Sequence, residues 1–424
     1  MLPLLHSSSR RKPSLHCPVF LNLASLNTMD IQRESPNSTF IMPTRQSNTQ
    51  SALARIDKYL EDTLETVLNQ LALSEDDQNQ DATITLKRRA ANATTIFRID
   101  PSTGALGSIR ADTTVTYSFP GKDGYEAWRF TIALRILSAI REAVKAGLAI
   151  SIRDIYYSDP EYFGSQGVVS RFVDDLALTI GVERSDLNVE AAAKGLVTGY
   201  YQSTVARDGI VGERESTKDC LIPRVQDLED LDIPDVDWIL IIEKEAVFRR
   251  LARSNFHIQS TTGKGILVTG KGYPDLRTRA FIHKIMERIP PSRSGRPPHC
   301  YALVDGDPDG MAIMSTYKYG SMAHTHENWK LNIPSLRWLG LRTSEVVESL
   351  GPDGDEALMS LTRRDRRKIV SMLSNNPVWA VDGPELEWRV ELQRMLMLNV
   401  KAEVEILYDR EDGLEKWIDR EMRR

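Results

Sequence analysis

Three short, nearly continuous apolar runs punctuate the second half of the chain, at Trp238–Ile242, Gly265–Thr269 and residues 301–304. Runs of this kind are the signature of strands covered on both faces, as in a parallel sheet. Helical patterns separate them, over residues 245–256 and over 275–288, where Phe281, Ile285 and Ile289 fall on one stripe. Alternating strand and helix implies an α/β sheet with crossover connections. Ligands of such sheets gather beyond the carboxyl ends of the strands, so functional residues are sought there.

Three acids fall at those ends. Glu243 follows the first run, and Asp305 and Asp307 follow the third. Two residues apart in extended chain, Asp305 and Asp307 project to the same side. Carboxylates meeting at one sheet edge repel one another unless a cation neutralises them, and Mg²⁺ suits hard oxygen ligands while keeping exchangeable waters. The plainer alternative is that Asp305-Gly306-Asp307-Pro308-Asp309-Gly310 is a turn opening a helix, with Asp309 as its N-cap.

The first half reads differently. A helix over residues 51–73 and an acidic linker over 74–81 lead into globular sequence near Ala82. Between 125 and 146, Phe130, Ala133, Leu134, Leu137, Ile140 and Val144 recur at helical spacing, and Gly147 stands where a left-handed cap belongs. A short segment at 151–157, a Ser-Asp-Pro turn at 158–160 and a second periodic stretch through Val169, Phe172, Val173, Leu176 and Ile180 follow, ending at Gly181. That order outlines a helix-turn-helix, with residues 187–189 and 195–197 as the two strands of a wing, although short helices joined by turns also occur in proteins that never touch DNA.

Within this segment, Arg153 and Tyr157 are four residues apart, one turn on a shared helix face. A phenol with a pKa near ~10 is a poor nucleophile until a cation or base favours the phenolate. Arg153 can supply that field and grip a phosphate with its planar fork. Alternatively, Tyr156 and Tyr157 are one core and one rim aromatic. Lys194, Arg277 and Arg279 flank strand and helix ends where phosphates would lie, whereas Arg363, Arg364, Arg366, Arg367 and Lys368 read as a solvated helix face. A long helix is expected over residues 384–407, with Pro384 at its start.

Composition narrows the classes. No apolar run approaches the ~20 residues needed to cross a bilayer. Three widely spaced cysteines, Cys17, Cys220 and Cys300, fit neither a disulfide framework nor a zinc site. The formal charge of −5 weighs mildly against nucleic acid, but a basic groove can coexist with acidic outer faces. Residues 1–50 read as a disordered tail. Arg10, Arg11 and Lys12 give its start a superficial likeness to a transit peptide, and a plain tail, or Met29 as the working start, is the simpler reading.

Taken together, one ordered set of stretches resembles the family of topoisomerase VI A subunits and the meiotic Spo-eleven proteins. The stretches are Arg153-Asp154-Ile155-Tyr156-Tyr157-Ser158-Asp159, Val173-Asp174-Asp175, Lys194-Gly195-Leu196, Ile242-Glu243-Lys244, Thr269-Gly270-Lys271-Gly272-Tyr273-Pro274-Asp275, Asp305-Gly306-Asp307-Pro308, Tyr317-Lys318-Tyr319-Gly320-Ser321 and Lys401-Ala402-Glu403. They span residues 85–407 in family order, and Asp309 departs from the aromatic or His that relatives often carry. The resemblance implies a multi-domain α/β (α+β) protein. A tail (1–50), a helix and linker (51–81) and a winged-helix, CAP-like domain (82–215) precede a Toprim domain with a parallel sheet and a C-terminal helical extension (235–424).

By the same resemblance, Tyr157 is the nucleophile that becomes joined to a 5′ phosphate of double-stranded DNA, and Arg153 is its catalytic neighbour. Glu243, Asp305 and Asp307 hold Mg²⁺, and Lys194 meets DNA. Homodimers pair the tyrosine of one protomer with the metal site of the other. A topoisomerase VI B-like partner would carry the ATPase, with accessory meiotic break factors and a nuclear, chromosomal location. The motif spelling and long polar tail favour the meiotic branch over a DNA-relaxing topoisomerase. A non-catalytic DNA-binding scaffold has no need of the clustered acids, and a Toprim nuclease or primase leaves Arg153 and Tyr157 without a task.

Overall fold

Strand Trp238–Ile242 lies at the centre of a six-stranded sheet in which every residue of that strand is buried. Its parallel neighbours are Gly265–Thr269 on one side and His299–Leu303 on the other, with Leu336–Gly340 parallel beyond the latter. The computed structural model describes residues 45–76, 81–89, 96–109, 112–190, 193–207, 210–215, 220–290, 297–348, 358–409 and 413–424. Nearly all of the expected tail, and residues 77–80 of the linker, lie outside them. Residues 49–424 form one compact unit.

Alternate side chains of the central strand serve two cores. Ile239 and Ile241 join Phe281, Ile285, Met311 and Trp388 on one face, while Trp238, Leu240 and Ile242 join Phe248, Leu251, Val404 and Trp417 on the other. Burying each such aliphatic side chain contributes roughly 1.5–3 kcal/mol, which is why the continuous apolar runs become the middle of the sandwich. The crossover helices are Glu245–Arg253 and Leu276–Arg288, and Asp275 caps the latter by accepting the Thr278 N–H at 2.6 Å.

A third core holds the first half of the chain. Helix Arg45–Asp76, the antiparallel pair Ala82–Arg89 with Asp112–Phe119, and helices Gly124–Ala146, Ile152–Tyr157 and Gln166–Ile180 close around Leu60, Leu86, Ile136, Ile155, Phe172 and Leu176. Gly147 and Gly181 end their helices in the left-handed conformation, as the sequence predicts. No helix among the described residues is long and apolar enough to cross a membrane.

Three expectations need correction. The two presumed wing strands do not pair with each other: Val189–Glu190 lies parallel to Ile150–Ser151, and Leu196–Gly199 joins the large sheet antiparallel to Gly265–Thr269. Pairing is a long-range choice, and nothing in those few residues encodes their partner. The terminal helix covers only Leu386–Leu398, because Asn399 turns left-handed (φ 58°) and the chain leaves as strand Val400–Ala402 and a short 3₁₀ turn. Finally, Asp307 rather than Asp309 caps helix Pro308–Lys318, accepting the Gly310 N–H at 2.7 Å.

Candidate active site

The tyrosine helix is short and firmly started. Ser151 accepts the Asp154 N–H at 3.0 Å, and the Asp154 carboxylate accepts the Ser151 N–H at 2.8 Å, a reciprocal capping box. Ile155 is buried and anchors one face of the helix, which leaves Arg153 and Tyr157 pointing outward. Tyr157 is 63% exposed, and its ring lies in a T-shaped arrangement with that of Tyr156, centroids 5.1 Å apart. Arg153 makes no hydrogen bond or ion pair among the described residues, so its five donors are available. An exposed phenol beside an unengaged guanidinium suits attack on a phosphate better than it suits packing.

The acids sit at the other extreme. Glu243 follows the central strand directly, and its Oε2 accepts the Asp305 N–H at 3.0 Å. Burial, and then the charge of Asp305, push the Glu243 carboxyl up to about 8. Burial likewise raises Asp305, to about 6. It raises Asp307 as well, against the opposing Gly310 N–H. Each acid feels the others, so the sheet does bring the three together. Asp305 and Asp307 take different partners. Asp305 turns to the Val404 N–H (2.9 Å) and the Lys244 ammonium (3.1 Å), and Asp307 turns to the start of its helix.

Lysines from distant segments edge this cluster. Lys244 also reaches Glu403 at 3.1 Å and Glu405 at 2.6 Å. Burial alone would lower its pKa, but the bonds to Glu405, Asp305 and Glu403 hold it above the usual lysine value. Lys368 pairs with Asp309 and donates to the Tyr273 hydroxyl at 2.9 Å, and Lys401 meets Asp365 at 3.0 Å. The basic run is therefore not wholly a solvated face: Arg363, Arg364 and Arg367 are exposed, but Lys368 turns in toward the site. Sequence reasoning missed Lys244 as well, although it adjoins Glu243. The alternation of Val400 and Ala402 with Lys401 and Glu403 was the available sign that the chain there is a short strand and not helix.

The three proposed DNA contacts separate. Arg279 is 1% exposed, its Nη2 donates to Asn328 Oδ1 at 3.1 Å, and burial pulls its pKa down to about 10, so it is a structural arginine and not a phosphate contact. Its place three residues into a helix did not reveal that this turn faces the core. Arg277 is half-buried, 3.9 Å from Glu190. Lys194 is half-buried, and its ammonium donates to the Tyr273 carbonyl at 2.6 Å.

Comparison with known proteins meets this geometry at both ends. The Toprim domain of the topoisomerase 6 A-subunit/Spo11 family matches residues 238–416, and the type IIB DNA topoisomerase family matches residues 128–189, which contain the tyrosine helix. The chain is 35% identical over 285 residues to meiotic recombination protein SPO11-1 of Oryza sativa subsp. indica, covering 67% of this chain and 71% of that protein. The chain belongs to the topoisomerase 6 A-subunit/Spo11 family of DNA-cleaving enzymes.

Other members of the topoisomerase 6 A-subunit/Spo11 family are similar over the same span. SPO11 of Homo sapiens is 34% identical over 285 residues (66% of this chain, 67% of that protein), and the DNA topoisomerase 6 A subunit of Arabidopsis thaliana is 32% identical over 282 residues (65% and 61%). Among the described residues, no three acid, His or Cys side chains already stand as a finished metal cage. The donors nevertheless fit a hard divalent cation: all are carboxylate oxygens, Asp305 is buried and Glu243 and Asp307 are half-buried, and their mutual repulsion asks for positive charge.

Proposed function

We propose that this chain cleaves DNA by transesterification with Tyr157 as nucleophile, making the double-strand breaks that start meiotic recombination. The observation that carries it is the outward Tyr157, one helical turn from the unengaged Arg153, on a capped helix within the family's matched segment. The Tyr157 oxygen attacks phosphorus, the bond to the 3′ oxygen breaks, and that oxygen leaves with a proton as a 3′ hydroxyl. The phenol's own proton is lost to solvent or base, and the product is a 5′-phosphotyrosyl link. Arg153 holds the phosphate and favours the phenolate.

Glu243, Asp305 and Asp307 are the residues that would hold Mg²⁺, which Toprim domains generally bind. That ion would supply positive charge to the phosphate oxygens as charge builds there. Asp309, tied to Lys368, stands outside the set. Two copies act together, each lending its tyrosine to the other's acids; in support, the tyrosine helix packs through Ile155 on one core, while Ile242, Leu303 and Val304, which lead into the acids, pack in the other two. Lys194 and Arg277 are the remaining candidates to follow the DNA backbone. Double-stranded DNA in the nucleus is the substrate, accessory break factors and a topoisomerase VI B-like protein are the partners, and any ATP dependence comes through that B-like protein.

Recovery of protein covalently linked to DNA, with the linked peptide sequenced by mass spectrometry, tests the reading. Tyr157→Phe should abolish the adduct while mobility-shift binding to DNA persists. A normal adduct yield from that variant overturns the assignment. The relation to the topoisomerase 6 A subunit supports a second reading, DNA relaxation, which is favoured if supercoils are efficiently relaxed and religated in the presence of the B-type partner.

A further inference from the structure

We propose that a hollow walled by arginine and aromatic side chains, in the first half of the chain, docks an acidic peptide of a partner protein, one that carries an apolar side chain beside its carboxylates. The hollow has a volume of about 230 Å³ and lies between strand Asp112–Phe119 and helices Gly124–Ala146 and Gln166–Ile180.

Each element gives one buried side chain to an apolar floor. Tyr117, Ile132 and Phe172 are each no more than 6% exposed, and the Tyr117 and Phe172 rings meet edge to face with centroids 5.7 Å apart. Tyr125 and Trp128, one helical turn apart, add two further rings with centroids 5.3 Å apart. The Trp128 indole N–H is fixed by the Tyr162 carbonyl at 2.8 Å, whereas Tyr125 is largely exposed. Arg88, Arg129 and Arg171 also line the hollow, and among the described residues no acid does.

The three arginines are not equivalent. Arg88 is already neutralised, its Nε meeting Asp175 at 2.8 Å and its Nη2 donating to the Tyr117 hydroxyl at 3.1 Å. The Arg129 guanidinium lies half-buried over two rings, 4.8 Å from the Tyr117 centroid and 5.9 Å from that of Tyr125, and makes no hydrogen bond or ion pair among the described residues. Arg171 uses only Nε, on the Gly167 carbonyl at 3.2 Å. A half-buried guanidinium with unmatched donors is costly, and a carboxylate satisfies its fork with two parallel bonds. Aromatic and arginine side chains around an apolar floor are also what concentrates binding energy at protein interfaces. Duplex DNA matches the hollow less well, because it fills an apolar floor only by unstacking a base. The first 29 residues of the chain carry Arg10, Arg11 and Lys12 and no acid, so their charge opposes docking of the chain's own start.

The probe is a fluorescein-labelled dodecapeptide with four aspartates around a central phenylalanine, its binding to the full chain read by fluorescence anisotropy. The wild type should bind it, and Arg129→Gln and Tyr125→Ala should each weaken binding at least tenfold. Tyr125 is exposed enough that its removal leaves the fold intact, so the test survives should Arg129→Gln not fold. Replacing the peptide's aspartates by asparagine, or its phenylalanine by alanine, should bring a loss of similar size. Mobility-shift binding of duplex and single-stranded oligonucleotides should be the same in wild type and both variants. No binding of the peptide by the wild type, or undiminished binding by folded variants, overturns the proposal. Loss of oligonucleotide binding in the variants overturns it too, since the hollow would then belong to a nucleic-acid surface.

Discussion

The tyrosine helix and the acid cluster are held by opposite means. Helix Ile152–Tyr157 is six residues long, is secured by one capping box and one buried isoleucine, and presents its chemistry to solvent. The acids are buried or half-buried, and main-chain N–H groups grip each of them: Asp305 N–H for Glu243, Val404 N–H for Asp305, Gly310 N–H for Asp307. A nucleophile that must reach a large substrate is exposed and lightly tied, whereas like charges that must stay together need a rigid frame. The proposed two-copy site would bring one kind of element to the other around a single DNA duplex.

Mixing two defective chains puts that contrast to its hardest test. Heterodimers of Tyr157→Phe with Glu243→Ala retain one intact tyrosine opposite one intact acid set only if the site is shared between copies. Single-strand nicking with a covalent adduct is therefore expected from the mixture, where either homodimer gives essentially none. Complete inactivity of a verified heterodimer would return both halves to one chain. A smaller effect is expected in the frame itself. A Cβ at Gly310 would stand 2.4 Å from the Asp305 carbonyl oxygen and 3.0 Å from Glu243 Oε2. Gly310→Ala should cost ~1–3 kcal/mol in a urea melt and weaken cation binding, and an unchanged midpoint would show that the frame gives way easily. Smallest is the tyrosine side: Ser151→Ala removes the cap, should cost about 1 kcal/mol, and should lower adduct yield several-fold without altering cation binding. Loss of cation binding in that variant would mean the two regions are coupled within one copy.

What could be read beforehand follows from the range over which each signal acts. The runs at Trp238–Ile242 and Gly265–Thr269 are strands with those bounds, the helix ends at Gly147 and Gly181 fall where expected, and Glu243, Asp305 and Asp307 do gather at the sheet edge. The residue before Leu276–Arg288 caps it as an Asp should. Apolar periodicity, caps and glycine turns are local chemistry, written within a few residues of where they act.

Partners across the fold are not written that way. Leu196–Gly199 carries no mark that assigns it to the large sheet, Arg279 none that buries it against Asn328, and Lys368 none that turns it from a basic run toward Asp309. Asn399 ends a helix whose apolar pattern seemed to run on, because tertiary contact with Gly306 rewards an extended Ala402 more than another turn would. The order of residues determined which elements exist and which side chains are chemically capable. Only packing decided which of them are buried, which meet, and why Lys244 stands among three carboxylates: desolvation and charge pairing depend on everything within a few ångströms in space, whatever its distance along the chain.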